Sequence, residues 1–423
     1  MAESERSEAG PWAVIRVASG NFLEMYDFQV FGYYAAAIGA AFFPSRDPFA
    51  SLMASFMTFG AAFLMRPLGA VLLGAYADRN GRRAGLLLTL SLMSVGILTL
   101  TLTPGYAVIG LAAPLAVLAG RLLQGFSAGM ELGGVSVYLA EIAPPGRKGF
   151  YTSWQSASQQ VAVVLAAAIG IMLTTRLSPG AMTAWGWRIP LAVGCLIVPV
   201  LLVLRRSLPE TRAFAARTSH PGWAEIFKAL AGHWRRIGIG VLMTTLTTVT
   251  FYMITVYTPA FGTQVLGLPA LPVFLVTAAV GVSNFIWLPI MGAVSDRIGR
   301  KPVLLAIGGL MLVGAYPAML WLTHAPSFGR LLAVELFFSF VFGSYNGALV
   351  AYLTEIVPQS LRAAGFSVAF STATALFGGF TPAVSTLLVH ATHNRAAPGL
   401  WLAAAAALSL FAVTIARAAP AEE

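Results

Sequence analysis

The feature that most constrains this chain is a series of apolar runs of about 20 residues, each long enough to cross a bilayer as a helix. Only 10% of the residues are charged and 58% are hydrophobic, whereas a soluble domain carries roughly a quarter charged residues. The alternating segments of a transmembrane β-barrel do not occur. The sequence therefore predicts an all-α membrane protein, and it excludes a soluble enzyme, a nucleic-acid-binding protein and a disordered chain.

Twelve membrane spans can be drawn along the sequence. They cover residues 17–43, 50–76, 84–103, 113–142, 149–175, 187–204, 237–263, 272–294, 302–322, 330–356, 364–390 and 397–417. The longest polar stretch lies between the sixth and seventh spans. We therefore predict an N-terminal six-helix bundle over 1–204, a cytoplasmic linker over 205–236 and a C-terminal six-helix bundle over 237–423.

Lysine and arginine are distributed unequally between the two sets of loops. Of the 26, nineteen lie at the termini, in the central linker and in the loops of the same side, and five lie on the other side. The positive-inside rule then predicts a multi-pass protein of a bacterial-type inner membrane with both termini in the cytoplasm. The same rule accounts for the net charge of +10 without a nucleic-acid partner. The acidic N-terminus has no basic region or cleavage site of a signal peptide.

Two short motifs occur once in each half of the chain. G-A-Y-A-D-R-N-G-R-R begins at Gly74 and G-A-V-S-D-R-I-G-R-K begins at Gly292, while Y-L-A-E-I-A-P and Y-L-T-E-I-V-P begin at Tyr138 and Tyr352. The offsets, 218 and 214 residues, are nearly equal. Two six-span repeats with a substrate site between them near the midplane are an architecture of secondary transporters. We expect such a pseudo-repeat here.

The G-x-x-x-D-R-x-G-R-R loop resembles the signature of the major facilitator superfamily. The resemblance implies a charge-paired latch on the cytoplasmic face, in which the aspartates pair with arginines in only one packing of the halves. The glycines permit close approach of helices. The gating residues predicted in this way are Gly74, Asp78, Arg79, Arg82, Asp296, Arg297 and Arg300.

A narrower resemblance to the metabolite–proton symporter family extends over nearly the whole chain. It is carried by S-G-N-F-L-E-M-Y-D-F from Ser19, F-L-M-R-P-L-G-A from Phe63, G-R-L-L-Q-G-F-S-A-G-M-E-L-G-G from Gly120 and W-G-W-R-I-P from Trp185. Among its members, the chain resembles those that carry tricarboxylates. The resemblance implies proton-coupled import of a tricarboxylate such as citrate or tricarballylate by alternating access. The alternatives are another organic acid, such as a dicarboxylate, or a zwitterion such as betaine or proline.

Charged residues inside spans are costly and usually face a cavity or a partner. Arg121 and Gln124 share a stripe of span four, and a guanidinium there can bind a carboxylate through two parallel hydrogen bonds. Alternatively, Arg121 forms a structural pair with an acid of the same half, and neutral polar residues only hold helices together. The predicted substrate-binding residues are Asn21, Arg121, Gln124, Gln155, Gln159, Tyr252, Asn284, Tyr345 and Asn346. Arg66, close to the loop at Gly74, is predicted to have a structural or gating role.

Three intramembrane acids are candidates for carrying the coupled proton: Glu24, Asp27 and Glu131. A carboxyl group removed from water binds a proton more readily. The alternative for each is a permanently ionised salt-bridge partner, and Glu335 in span ten is the next candidate.

The sequence lacks the catalytic, metal-binding and nucleotide-binding residues that other classes of membrane protein require. The five histidines lie in the linker or at span ends, so no nucleophile or metal cluster of an enzyme is expected. Cys195 is the single cysteine, and no nucleotide-binding motif is found. We therefore expect no enzyme activity, metal or cofactor beyond the coupling proton. The expected partners are a small-molecule tricarboxylate and membrane lipids, with the protein a monomer.

Overall fold

A computed structural model describes residues 22–80, 82–129, 131–206, 231–358 and 362–416. These residues form helices and short connections, and none of them lies in a β-strand. The predicted all-α fold is therefore confirmed. Most of the predicted linker, residues 207–230, falls outside the described residues.

Six helices, α1–α6, make up the N-terminal half. Their bounds are Phe22–Tyr33 and Ala35–Phe42 for α1, Pro48–Leu64 and Arg66–Asn80 for α2, Arg82–Leu102 for α3, Ala112–Ala128 and Glu131–Glu141 for α4, Lys148–Arg176 for α5, and Arg188–Arg206 for α6. Short helices precede α4 (Tyr106–Ile109) and α6 (Pro179–Ala181 and Met182–Gly186).

Six further helices, α7–α12, make up the C-terminal half. Their bounds are Trp234–Tyr252, Met253–Tyr257, Thr258–Ala260 and Phe261–Val265 for α7, Ala270–Ile298 for α8, Arg300–His324 for α9, Phe328–Ile356 for α10, Arg362–Ala373, Thr374–Gly378 and Thr381–Thr392 for α11, and Pro398–Ile415 for α12. The twelve helices follow the twelve predicted spans in order.

Length and apolar composition agree with this assignment. Within the described ranges, nine helices are long and apolar enough to cross a membrane. Pro179–Gly186 and Arg188–Pro199, which are bent by 43°, meet the same criteria when they are counted together as one span. The two remaining spans, α1 and α4, each consist of two shorter helices. The chain therefore has the twelve-helix arrangement that its sequence predicts.

Prolines account for two of the helix interruptions. Pro67 has no N–H to donate to the carbonyl of Phe63, and α2 breaks just before it, at Met65. Pro259 likewise leaves the carbonyl of Thr255 without its helical donor, and the preceding segment Met253–Tyr257 is a π-helix. A membrane helix tolerates such breaks where neighbouring helices enclose them.

The two halves meet along α5, which packs against α8 and α10, and along α2, which packs against α11. We call the end of the molecule that carries the repeated G-x-x-x-D-R loops the motif end, and the opposite end the far end. The halves touch at both. At the motif end Asp296 contacts the start of α5, and at the far end the Phe49 ring of α2 stacks on the His390 ring of α11, 3.8 Å between centroids.

Candidate functional site

A narrow cavity lies between the two halves. Its walls come from α1, α2 and α5 on one side and from α7, α10 and α11 on the other. The lining residues are Met25, Arg66, Ser156, Gln159, Thr247, Thr248, Phe251, Tyr252, Phe342, Asn346, Phe370 and Thr374. The space holds only about two or three water molecules, so binding a tricarboxylate requires the halves to separate.

Arg66 is the charged residue in the described lining of this cavity. It opens the second segment of α2, directly after the break at Met65. Its Nη2 donates to the Glu24 carboxylate of α1, forming a buried ion pair. Its Nε has no hydrogen-bond partner among the described residues. Arg66 therefore lines the cavity, whereas the sequence predicts a structural or gating role for it.

Arg121 and Asp27 form a second buried ion pair in the same half. Nη1 of Arg121 lies 2.7 Å from the Asp27 Oδ2 and 2.7 Å from the Oε1 of Gln124. Both charged side chains are almost completely buried, at 0% and 1% exposure. Arg121 and Gln124 do not line the cavity. Arg121 instead forms an ion pair with an acid of the same half, which is one of the two alternatives that the sequence left open. Their role in substrate binding stays a prediction.

Aromatic rings of α1 and α2 surround the two guanidinium groups. The Phe28 ring contacts both, with its centroid 5.1 Å from Cζ of Arg66 and 4.6 Å from Cζ of Arg121. Phe63 lies 4.7 Å from Arg66, and Phe31 lies 4.4 Å from Arg121. Cations over ring faces are attracted more strongly when they are removed from water. The cluster therefore holds two like charges close together, each with its own carboxylate.

Three of the predicted neutral substrate ligands do line the cavity: Gln159, Tyr252 and Asn346. Gln159 is 7% exposed and Asn346 is 1% exposed. The Nε2 of Gln159 and the Oδ1 of Asn346 have no hydrogen-bond partner among the described residues. Buried polar atoms are normally hydrogen-bonded, and unpaired ones call for an explanation. A polar ligand in the cavity would supply the missing partners.

The other predicted ligands are engaged elsewhere. The Asn284 side chain bridges Gln160 of α5 and Ser339 of α10, at 3.0 and 2.7 Å. The Tyr345 hydroxyl donates to the backbone carbonyl of Met243, 3.0 Å away. The Gln155 Oε1 accepts from the Ser156 hydroxyl. Asn21 and the side chain of Glu131 fall outside the part of the chain that the structure describes.

Asp296 joins the halves at the motif end. Its two carboxylate oxygens accept hydrogen bonds from the backbone N–H groups of Gly149 and Phe150, at 2.8 and 2.9 Å. These are free donors at the start of α5, where the helix dipole also favours a negative charge. Arg300 pairs with Asp296 within the same half, 2.6 Å away. At the motif end, the two halves are therefore joined by the Asp296 carboxylate, which binds the first N–H groups of α5. Arg300, which is in the same half as Asp296, pairs with this carboxylate.

Of the other predicted gating residues, the structure describes Arg297 and Gly74. Arg297 is exposed. The side chains of Asp78, Arg79 and Arg82 lie outside the described ones. Gly74, the repeat counterpart of Gly292, would present an added Cβ to no described atom within 4 Å.

We expect Gly292→Ala to open the motif end. A Cβ at Gly292 would lie 2.5 Å from the carbonyl oxygen of Gly149, a backbone atom that cannot rotate away. Maleimide labelling of a cysteine at the cavity residue Ser156, in a Cys195→Ser background, measures the opening and should become several-fold faster. Gly74→Ala is the matched control and should label like the parent. Equal rates for both variants would contradict a gating contact at Gly292.

Nine of the twelve lining residues are not among the predicted ligands. Five of these nine are polar: Arg66, Ser156, Thr247, Thr248 and Thr374. Thr247 belongs to a threonine-rich run, Thr244 to Thr250, which signals a polar helix face without identifying the cavity side. Thr374 begins the π-helical segment of α11, and π segments are frequent at functional sites.

Comparison with known proteins agrees with this architecture. Residues 17–382 match the family model of the Major Facilitator Superfamily. The chain is 58% identical to a citrate-proton symporter of Salmonella typhi, over 97% of this chain and 94% of the relative. It is 56% identical to a citrate-proton symporter of Klebsiella pneumoniae, over 95% and 90%.

A solved structure, the xylose transporter XylE from E. coli in a partially occluded inward-open conformation, has the same fold. It superposes with a TM-score of 0.78 and 19% identity, over 97% of this chain and 98% of that one. At this identity the likeness concerns the fold alone. Family match, close relatives and fold agree: the chain belongs to the major facilitator superfamily.

Proposed function

We propose that the protein is a proton-coupled symporter that imports a tricarboxylate such as citrate by alternating access. The observation that carries the proposal is a buried arginine, Arg66, in a cavity between two six-helix halves. The identity of 58% and 56% to proteins named citrate-proton symporter supports the choice of substrate.

The cavity has the chemistry that a carboxylate requires. The planar guanidinium of Arg66 can bind a carboxylate through two parallel hydrogen bonds. In the described conformation Glu24 occupies that group, so a substrate carboxylate competes with Glu24 for the same donors. Gln159 and Asn346 offer further hydrogen bonds to the remaining carboxylates and a hydroxyl group.

Competition at Arg66 also couples substrate to proton. A proton that neutralises Glu24 weakens its hold on Arg66 and frees the guanidinium for the substrate. Co-transported protons are needed because each negative charge entering against a negative-inside potential is opposed by about 2.3 kcal/mol per 100 mV. Proton binding and substrate binding then favour each other at one site.

Alternating access follows from contacts at both ends of the interface. Release at the motif end requires Asp296 to leave the start of α5, and uptake at the far end requires the Phe49 and His390 rings to separate. The basic loops lie at the motif end, so we propose that this end faces the cytoplasm. We further propose that the protein works as a monomer in the inner membrane.

Counterflow in proteoliposomes tests the substrate class. Purified protein is reconstituted with unlabelled solute inside, and uptake of labelled citrate is followed with no pH gradient. Internal citrate or tricarballylate is expected to drive transient accumulation, whereas internal betaine or proline is expected to drive none. Equal counterflow from betaine, or none from any tricarboxylate, would contradict the proposal.

A further inference from the structure

One buried carboxyl group lies apart from the two ion pairs of the N-terminal half. Glu335 of α10 is 1% exposed. Its Oε1 lies within hydrogen-bond distance, 2.8 Å, of the hydroxyl oxygen of Thr258 in α7. Its Oε2 is buried with no partner among the described residues, and no ion pair among them includes it. Glu24 and Asp27 each face an arginine, and Glu335 does not.

The helices packed against α10 bring no described charge to Glu335. Away from the helix ends, the ionisable side chains of α5, α7, α8, α9, α11 and α12 are Tyr252 and Tyr257 on α7 and Tyr316 on α9. The Tyr257 hydroxyl faces Thr386, 3.5 Å away, and the Tyr316 hydroxyl accepts from Asn394. The second segment of α4, with Glu131, Tyr138 and Glu141, runs toward the motif end, and on α10 itself Arg330 binds the carbonyl of Trp321 at the far end.

The Thr258 hydroxyl has a single proton for three neighbouring oxygen atoms, and this indicates which protonation state of Glu335 fits the site. The hydroxyl has one proton, but its oxygen is within hydrogen-bond distance of the Ile254 carbonyl (3.0 Å), the Met253 carbonyl (3.2 Å) and Glu335 Oε1. An ionised Glu335 would take that proton and remain a buried anion with a single hydrogen bond, which is unfavourable. A neutral Glu335 can donate to the Thr258 oxygen, which then donates to the Ile254 carbonyl. The neutral form therefore satisfies the chain of hydrogen bonds.

Thr258 also lies where α7 is least regular. It begins the turn Thr258–Ala260 between the π-helical segments Met253–Tyr257 and Phe261–Val265. This part of α7 packs against α1 of the other half, where Gln29 donates to Thr255. Movement of α1 relative to α7 therefore changes the surroundings of the segment that contains Thr258.

We propose that Glu335 is a proton-binding site of the C-terminal half and that its proton is transported with the substrate; this rests on the proposed symport. The proton comes from water at the far end and forms an O–H bond to the Glu335 carboxylate. When α7 moves Thr258 away and water from the motif end reaches Glu335, the water solvates the carboxylate, the O–H bond breaks, and the proton passes to that water. Glu335 then supplies a proton site independent of the competition at Arg66.

Infrared spectroscopy of the purified protein tests the resting state without substrate. The carbonyl stretch of a protonated buried carboxyl is expected in the parent at neutral pH and should be lost in Glu335→Gln. Glu355→Gln, on the same helix but half-exposed beside Arg300, is the matched control and should keep the band. Thr258→Val removes the hydrogen-bond partner and should shift the band to higher frequency, which provides a second reading if the glutamine variant does not fold.

Transport by the same variant tests the second part of the proposal. Glu335→Gln should keep citrate counterflow, which needs no net proton movement, and should lose most of the accumulation driven by a pH gradient. A band unchanged in Glu335→Gln and Thr258→Val, or full gradient-driven accumulation by Glu335→Gln, would overturn the proposal. A parent protein that exchanges no tricarboxylate would instead overturn the proposed function, and the infrared result stands apart from it.

Discussion

Replacing Arg66 by lysine is expected to lower the affinity for citrate by about 10- to 100-fold. Lysine keeps the positive charge but loses the planar pair of donors that a carboxylate binds. A hydrogen bond between charged groups contributes about 1.5–3 kcal/mol, and about 1.4 kcal/mol corresponds to tenfold in affinity. Calorimetric titration of the purified protein with citrate measures the change directly.

Arg121→Lys is the matched control, because Arg121 contacts the same Phe28 ring but lies outside the cavity lining. Its effect on citrate affinity is expected to be much smaller than that of Arg66→Lys. The opposite order, with affinity lost in Arg121→Lys and kept in Arg66→Lys, would make Arg121 the substrate guanidinium and contradict the cavity assignment.

Replacing Asp27 by asparagine is expected to lower the free energy of unfolding by about 3–5 kcal/mol, because it leaves the Arg121 guanidinium buried without a counter-ion. Arg121 is completely buried and its Nη1 is 2.7 Å from Asp27. Chemical unfolding of the purified protein in detergent, followed by tryptophan fluorescence, measures the loss.

The double variant Asp27→Asn, Arg121→Gln separates the ion pair from general effects of substitution. With both charges removed, no uncompensated charge remains, and more than half of the lost stability is expected to return. The coupling energy between the two positions comes from the double-mutant cycle. Additive losses, or an Asp27→Asn variant as stable as the parent, would show that Asp27 does not neutralise Arg121.

The helical architecture could be predicted from the sequence because a membrane imposes it locally. Each span needs its own run of apolar residues that is long enough to cross the bilayer. The motif that occurs at both Gly74 and Gly292 indicates that the two halves are repeats of one another. The predicted spans therefore agree with α1–α12 to within a few residues at most ends. The breaks at Met65 and at Met253–Tyr257 follow from Pro67 and Pro259, which the sequence displays.

The site was less predictable, because partners across helices depend on the rotation and depth of each helix. Helical periodicity places Arg121 and Gln124 on one stripe but does not show that the stripe faces Asp27 and the Phe31 ring. It likewise does not show that the break before Pro67 brings Arg66 to the cavity. Neutral residues were harder still, since Asn284 and Asn346 look alike in sequence, yet one holds helices together and the other lines the cavity.

The asymmetry of the halves bears on how coupling works. Among the described side chains of the N-terminal half, two buried carboxylates, Glu24 and Asp27, pair with two buried arginines, Arg66 and Arg121. The described C-terminal half has one such carboxyl, Glu335, with a threonine as its partner. In the proposed mechanism, the substrate charge binds in one half and a proton binds in the other, so that movement of the halves depends on both.

Simultaneous measurement of citrate and proton flux tests directly whether the protein is a proton-coupled symporter. Proteoliposomes with an alkaline interior, and the membrane potential set to zero by valinomycin and equal potassium, are given labelled citrate outside and a pH dye inside. For a proton-coupled symporter we expect uphill citrate accumulation together with faster internal acidification, both abolished by collapsing the pH gradient. Citrate that only equilibrates, or that accumulates without added proton entry, would contradict proton-coupled symport.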